Sequence, residues 1–221
     1  MLNELKPGAR SRTAYEYAKT ELRSAILSAK LPGGTRLVQS ELAAQLNISA
    51  TPVREALRDL ASEGLIFLDP HHGAVVRALE VSEVAEIYEI RMALEPLMIR
   101  RVISDITEDQ LERAAALQQQ MATMDDIGAW VELNRQFHAI FAEASGDSRL
   151  AKILDRLRDS ATPYVALSLA ARPEQIQESH HEHAALLDLY RKRDVRGVIK
   201  LTVQHLESTM TAILAARNDE A

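Results

Sequence analysis

The sequence predicts a mainly α-helical protein with two modules: three helices and a β-hairpin at the N-terminus, then an antiparallel bundle of six helices. Apolar residues recur at helical spacing along most of the 221 residues. Only three of the eight glycines follow Gly73, and β-type runs occur only between residues 65 and 77. We therefore place the module boundary at residue 78, with one module over 1–78 and the other over 79–221.

The distribution of charge and the amino-acid composition exclude several classes of protein. Residues 1–78 hold ten Lys and Arg against eight Asp and Glu, and residues 79–221 hold sixteen against twenty-four, which indicates different partners for the two modules. The chain has no cysteine, which excludes disulfides and thiolate sites. No segment reaches the roughly 20 apolar residues of a membrane span or has the pattern of a signal peptide. We therefore expect a soluble cytoplasmic protein that does not contact a membrane.

Spacing and turn residues indicate the first two helices of the N-terminal module. Apolar positions favour a helix over Tyr15–Ala29, which ends at the turn Pro32-Gly33-Gly34. Ser40 is expected to cap a short helix over Glu41–Leu46, and Asn47 is expected to close it.

A third helix and a hairpin complete this module. Ser49 is expected to cap a helix that runs to Ser62, with its hydroxyl accepting from the N–H of Val53. Pro52 lies in the first turn, where a missing N–H costs nothing. Residues 65–68 and 74–77 are β-type runs around a Pro-His-His-Gly turn. Three helices followed by a hairpin form a winged helix-turn-helix.

The C-terminal module is predicted to be helical throughout. Thr107 followed by two acids is a helix start signal, and short polar joints such as Ser145-Gly146-Asp147 favour antiparallel neighbours. The predicted helices are Ser82–Ser104, Thr107–Thr123, Ile127–Ser145, Ser148–Ala171, Pro173–Lys192 and Val195–Ala216.

A helix-turn-helix reads DNA with small, polar and basic side chains at the start of its second helix, here the helix after Ser49. Arg54 can reach a guanine edge or a phosphate, and the wing tip at His71 and His72 can approach a minor groove. The alternative is a small helical domain whose surface arginines have no DNA role. The positions expected at DNA are Arg36, Ser40, Ser49, Ala50, Thr51, Arg54, Arg58 and Gly73.

The segment from Leu22 to Val76 resembles the GntR family of bacterial regulators. The run Ser49–Leu57 carries most of the resemblance, together with the turn Leu31-Pro32-Gly33 and the segment Glu63-Gly64-Leu65. The resemblance implies a homodimer on a palindromic double-stranded DNA operator, with contacts at Thr51, Arg54 and Gly73. The family usually has an Arg where this chain has Ala50, and that Arg commonly reads a guanine. We therefore expect an operator that differs at this base or is bound more weakly.

Three histidines and one amide lie on core-facing stripes of three predicted bundle helices. Asn134 and His138 are four residues apart and so face the same way, while His183 and His205 fall on the stripes of the last two helices. In a bundle these side chains can converge on one ion, although a buried histidine can equally be an ordinary core residue. His180 can line the same cavity, His181 is expected in solvent, and the wing histidines are not expected to be ligands.

The C-terminal module resembles the FCD domain, the all-helical ligand-binding domain of the FadR-type branch of GntR regulators, in its six-helix, VanR-like variant. The segments Arg91–Pro96, Asn134–His138 and Glu182-His183 carry this resemblance, with His205. It implies a divalent metal bound by Asn134, His138, His183 and His205. Most members have Asp where this chain has Asn134, and a neutral amide is a weaker ligand. Imidazole-rich sites suit zinc or nickel.

Arg91 and Glu95 interrupt the apolar stripe of the first bundle helix, and a buried Arg requires a partner. One alternative is an internal Arg91–Glu95 ion pair that holds the bundle together. The other is that Arg91 binds the carboxylate of a small organic-acid effector beside the metal, as the resemblance also implies. Tyr88, Arg135 and Tyr164 are weaker candidates for the wall of this effector cavity.

These features leave three classes of function. The first is a ligand-responsive regulator, by family habit a repressor, in which the effector changes the fit of two winged domains to DNA. The second is a metalloenzyme, which is disfavoured because the chain has no His-Glu-x-x-His helix and no evident general base. The third is a regulator whose metal is structural or is itself the sensed ligand.

Overall fold

The computed structural model describes residues 9–69, 73–78 and 80–218, and these form two compact units. The first unit contains the described residues up to 78 except 27–29, and the second contains residues 27–29 and 80–218. The predicted mainly α-helical fold class is confirmed.

The first unit combines three helices with a small antiparallel sheet of order β1-β3-β2. Leu37 of β1 lies opposite Ala74 of β3, and Ile66 of β2 lies opposite Val76 of β3. The side chains of all four residues are buried, so this register places one face of the sheet on the core. The elements are α1 (Ala9–Leu27), β1 (Arg36–Leu37), α2 (Gln39–Gln45), α3 (Ala50–Ser62), β2 (Ile66–Asp69) and β3 (Gly73–Val76).

One predicted helix cap in this unit is wrong, and a second is at the predicted residue but lacks its predicted hydrogen bond. The N-cap of α2 is Val38, so Ser40 lies inside the first turn instead of before it. Ser49 is the N-cap residue of α3, but its side chain makes no capping hydrogen bond. The side chain of Gln39 instead donates to the carbonyl oxygen of Ala50 at 2.7 Å and fastens α2 to the start of α3. Asn47 ends α2 in the left-handed conformation, as predicted.

The second unit is a bundle of six helices whose ends lie within two residues of the predicted ends. Thr107 caps α5 as predicted, because its hydroxyl accepts from the N–H of Gln110. None of the described helices is long and apolar enough to span a membrane. The helices are α4 (Val81–Val102), α5 (Glu108–Ala122), α6 (Ile127–Glu143), α7 (Arg149–Ala171), α8 (Gln175–Arg191) and α9 (Val195–Asn218).

Helix packing brings the predicted metal ligands toward one region of the bundle. Helix α4 packs against α7 and α9, α6 packs against α5 and α7, and α8 packs against α5 and α9. Aromatic rings fill the core beside the histidines: Phe137 lies 4.5 Å from His183, centroid to centroid, and Phe141 stacks on Tyr190 at 4.0 Å. The fold therefore packs aromatic core residues against one side of the histidine region.

Candidate functional site

The bundle brings together the three histidines that the sequence singled out. One ring nitrogen from each of His138, His183 and His205 lies within 4.8 Å of the others. The ring centroids are 5.0 Å apart for His138 and His183 and 5.4 Å apart for the other two pairs. Bonds of about 2.1 Å to a single zinc ion would place its ligand atoms roughly 3–4 Å apart, so small side-chain rotations suffice to bind one ion.

Asn134 lies one turn before His138 on α6, and its oxygen Oδ1 is buried without a hydrogen-bond partner among the described residues. The Nε2 atom of His183 is likewise buried and unpartnered in the described part of the chain. Buried polar atoms are almost always satisfied, because leaving one unpaired costs about 1–3 kcal/mol. Both atoms are electron-pair donors that a bound cation would satisfy.

Neighbouring polar groups fix which nitrogen of each imidazole carries the proton. The amide nitrogen of Gln118 donates to the carbonyl oxygen of His180 at 2.9 Å, so the amide oxygen of Gln118 accepts from Nδ1 of His183 at 3.2 Å. The Nε2 atom of His183 is then left with a free lone pair. Glu182 pairs in the same way with Nδ1 of His205. Such outer partners are typical of metal-binding histidines.

The protonation state of two histidines of the cluster also suits metal binding. Burial lowers the pKa of His138 and His183 well below the ordinary value, and the neighbouring imidazoles lower it further. Both side chains are therefore neutral near pH 7, the form in which imidazole ligates a metal. Three imidazoles and one amide oxygen fit zinc or nickel better than calcium or magnesium.

The sequence alone did not identify the two outer partners, Glu182 and Gln118. Glu182 adjoins His183, and neighbouring side chains on a helix point about 100° apart, so helical spacing alone does not place Glu182 at the site. In the structure Glu182 contacts His205 of α9. Gln118 carries no sequence signal, since its role depends on the packing of α5 against α8. His181 is exposed, as expected, whereas His180 is half-buried and bound to Gln118 and is not among the residues that line the cavity beside the cluster.

A cavity adjoins the histidine cluster inside the bundle. It encloses about 820 Å³ of empty space, including its opening to solvent. Residues of α4, α6, α7, α8 and α9 line it, and serine, threonine and glutamine side chains are among them. The charged and ligand-type groups in its wall include Arg91, Asn134, His138, Arg158, Glu182 and His205.

The two buried arginines beside this cavity are paired unequally with Glu95. Arg158 holds Glu95 through two hydrogen bonds of 3.1 and 2.7 Å. Arg91 reaches the same carboxylate only at 3.6 Å, and its Nε has no hydrogen-bond partner within the described residues. Arg91 is thus loosely paired with Glu95 and retains an unpaired donor, and its role toward an effector stays a prediction. Arg158 escaped the sequence analysis, although it also interrupts an apolar stripe between Leu154 and Ala161.

The remaining predicted cavity residues differ in their availability. Tyr88 lines the cavity with a buried hydroxyl that has no hydrogen-bond partner among the described residues, and burial raises its pKa, so it remains a donor. Arg135 lines the cavity, but Glu132 engages two of its donor nitrogens. Glu95 lines a second, smaller cavity, which shares Arg91 and Arg158 with the first. Tyr164 packs in a core cluster with Val84 and Leu206 instead of lining the cavity.

The first unit exposes the side chains predicted to meet DNA. Arg36, Arg54 and Arg58 are exposed and line one shallow depression together with Gly73. Gly73 has a φ of +78°, a conformation that favours glycine. The exposed residues Ser40, Ser49, Ala50 and Thr51 lie in or beside the first turns of α2 and α3. His71 and His72 of the predicted wing tip lie outside the described residues.

Comparisons with known proteins agree with this arrangement. Residues 14–76 match the model of the bacterial regulatory proteins of the gntR family, and residues 86–208 match that of the FCD domain. The chain is 30% identical to the gluconate operon transcriptional repressor of Bacillus subtilis over 80% of this chain and 70% of that protein. It is 28% identical to the HTH-type transcriptional repressor RspR of Escherichia coli, over 90% and 89% of the two chains.

A solved structure shows the same fold. The E. coli protein McbR/YncC superposes with a TM-score of 0.77 over 90% of this chain and 96% of its own, at 23% sequence identity. The families matched here are transcription regulators and not enzymes, which removes the metalloenzyme alternative. The chain belongs to the GntR family of bacterial regulatory proteins, in the group with a C-terminal FCD domain, and is a DNA-binding transcription regulator.

Proposed function

We propose that this protein is a transcriptional repressor whose operator binding is controlled by a small organic acid, bound beside a divalent metal in the FCD bundle. The observation that carries the proposal is one cavity whose wall holds Arg91, with its unpaired donor, together with Asn134, His138 and His205 of the candidate metal cluster. The name of the related gluconate operon repressor supports this ligand class, because gluconate is a hydroxylated carboxylic acid.

In this proposal the protein recognises the acid by charge and by hydrogen bonds. Arg91 and the hydroxyl of Tyr88 donate to a carboxylate, and the serine and threonine hydroxyls of the lining suit hydroxyl groups on the acid. Asn134, His138, His183 and His205 would hold the metal, zinc or nickel, which when bound supplies positive charge for a second oxygen of the ligand. The pair Arg158–Glu95 keeps the adjacent wall in place.

The winged unit would read DNA from the start of α3. Thr51 and Arg54 are proposed to reach base edges, while Arg36 and Arg58 bind phosphates. Ala50 has no donor, so the operator should differ from the common family site at that base. Two copies of the chain would place two such units on the halves of a palindromic operator.

A thermal-shift screen of carboxylic acids with and without a chelator tests the ligand site. We expect some hydroxylated acids to stabilise the wild-type protein, and Arg91→Gln to lose most of this stabilisation. Arg135→Gln is the matched control, since Glu132 already engages Arg135. Stabilisation should disappear after chelation. Stabilisation by zinc or nickel with no response to any acid would instead support the third class, a structural or sensed metal.

A further inference from the structure

Helix α4 has two well-separated faces. One face carries the buried residues, among them Val84, Tyr88 and Met98. The opposite face carries Ile90, Ala93 and Leu97, which are exposed and lie one turn apart from each other. Ile90 is 38% exposed and Leu97 is 45% exposed, so this face presents two large apolar side chains about two turns apart.

Charged side chains flank this apolar stretch in a fixed order. Glu86 and Glu89 precede it toward the N-terminus of α4, and Arg100 and Arg101 follow it toward the C-terminus. All four are exposed, and none has an ion-pair partner in the part of the chain that the structure describes. We call Glu86, Ile90, Ala93, Leu97 and Arg101 the outer α4 face. It is acidic at one end, apolar in the middle and basic at the other end.

We infer that the outer α4 face binds the same face of a second copy, with the two α4 helices antiparallel around a two-fold axis near Ala93. This register places Glu86 opposite Arg101 of the second copy and Ile90 opposite Leu97 of the second copy. By symmetry each contact forms twice. The two charge pairs are separated by fifteen residues, about 22 Å of helix, and the apolar contacts lie between them.

The pattern selects a second copy of this chain as the occupant. An antiparallel pair satisfies both charged ends and covers both large apolar residues at once, so the face is complementary to itself. A parallel pair would place Glu86 against Glu86 and arginine against arginine, which is repulsive. Ala93 at the centre has a small side chain that lets the helices approach to about 8 Å. The inference rests on the homodimer of the proposed function and assigns its contact surface.

The apolar contact is tested by the mass of the full-length protein in solution, measured by sedimentation or light scattering over a range of concentrations. Leu97→Asp should raise the dissociation constant of the dimer at least about thirtyfold, because it buries a charge at the centre of the interface. Ala116→Asp is the control, since Ala116 of α5 is exposed and α5 packs against α6 and α8. It should leave the dissociation constant unchanged.

A charge exchange tests the orientation of the helices. Glu86→Arg and Arg101→Glu should each weaken the dimer, since each creates two like-charged contacts across the axis. The double substitution exchanges the charges and should restore the wild-type dissociation constant to within about threefold. Additive weakening in the double variant would exclude the antiparallel register and overturn the proposal.

The cysteine-free sequence allows a direct test of the two-fold axis. Ala93→Cys should cross-link to a covalent dimer with a short bis-maleimide, whereas Glu112→Cys, on the exposed side of α5, should not. A monomeric wild-type protein, or a dimer that Leu97→Asp leaves intact, overturns the assignment. Zinc binding by Leu97→Asp, measured in parallel, separates this outcome from a failure of the metal and ligand site.

Discussion

Asn134 offers a neutral oxygen at a position where a carboxylate would add a negative charge to the proposed metal site. We expect Asn134→Asp to raise zinc affinity about tenfold, because an anionic oxygen is the stronger ligand for a dication. Competition with a chromophoric chelator measures the change. His181→Ala is the control, since His181 is exposed and lies outside the cluster. Equal zinc affinities of Asn134→Asp and the wild type would show that residue 134 is not a ligand.

Glu95 gives the bundle a pH-dependent contribution to stability. Burial alone favours the neutral acid, but Arg158 and Arg91 hold the pKa of Glu95 below its ordinary value of 4.5. A carboxylate with a lowered folded-state pKa stabilises the fold above its unfolded pKa, and this contribution disappears as the pH falls through the folded pKa.

We therefore expect Glu95→Gln to lower the free energy of unfolding by about 3–5 kcal/mol at pH 7, since it leaves Arg158 buried without its main partner. The difference from the wild type should shrink steadily below pH 4.5. Urea unfolding at a series of pH values measures it, with the exposed Glu112→Gln as control. A difference that is the same at pH 3.5 and pH 7 would contradict this role.

At the scale of elements, α3 and β1 are proposed to meet DNA in different ways. Arg54→Ala should cost about 1–3 kcal/mol of operator binding and relax the preference at one base pair. Arg36→Ala should weaken binding to all sequences alike. It should also reduce the slope of the logarithm of the binding constant against the logarithm of salt concentration by about one. Fluorescence anisotropy with the operator and single-base variants separates the two effects. If both variants lose the same binding affinity on every DNA sequence, Arg54 does not contact a base.

Elements whose signals are local could be predicted, and those that depend on neighbours could not. The six bundle helices were predicted within two residues because long amphipathic stripes and caps such as Thr107 specify them. The strand β1 has only two residues, too few for an alternating pattern. Three residues join the site only through the packing of one helix against another: Gln118 because α5 packs beside α8, Glu182 because α8 packs beside α9, and Arg158 because α7 packs beside α4. A single sequence does not reveal those pairings.

At the scale of the whole molecule, the outer α4 face and operator binding should be linked. Leu97→Asp should weaken binding to a full palindromic site, because two independent winged units lose the gain of bivalent binding. Binding to an isolated half-site should not change. Gel-shift titrations with both DNAs measure the two affinities. If Leu97→Asp binds the full site as tightly as the wild type does, operator recognition does not depend on this dimer contact.

The neutral ligand set has a consequence for what the regulator can sense. Three imidazoles and one amide give a dication no negative charge directly, and Arg91 adds another positive charge beside it. An acid in the cavity would be the counter-ion of both, so acid and metal must strengthen each other's binding by the same factor. The proposed repressor would then act as a coincidence detector. With the acid as the inducer that releases the repressor from DNA, its target genes would stay silent in a metal-starved cell even when the acid is plentiful.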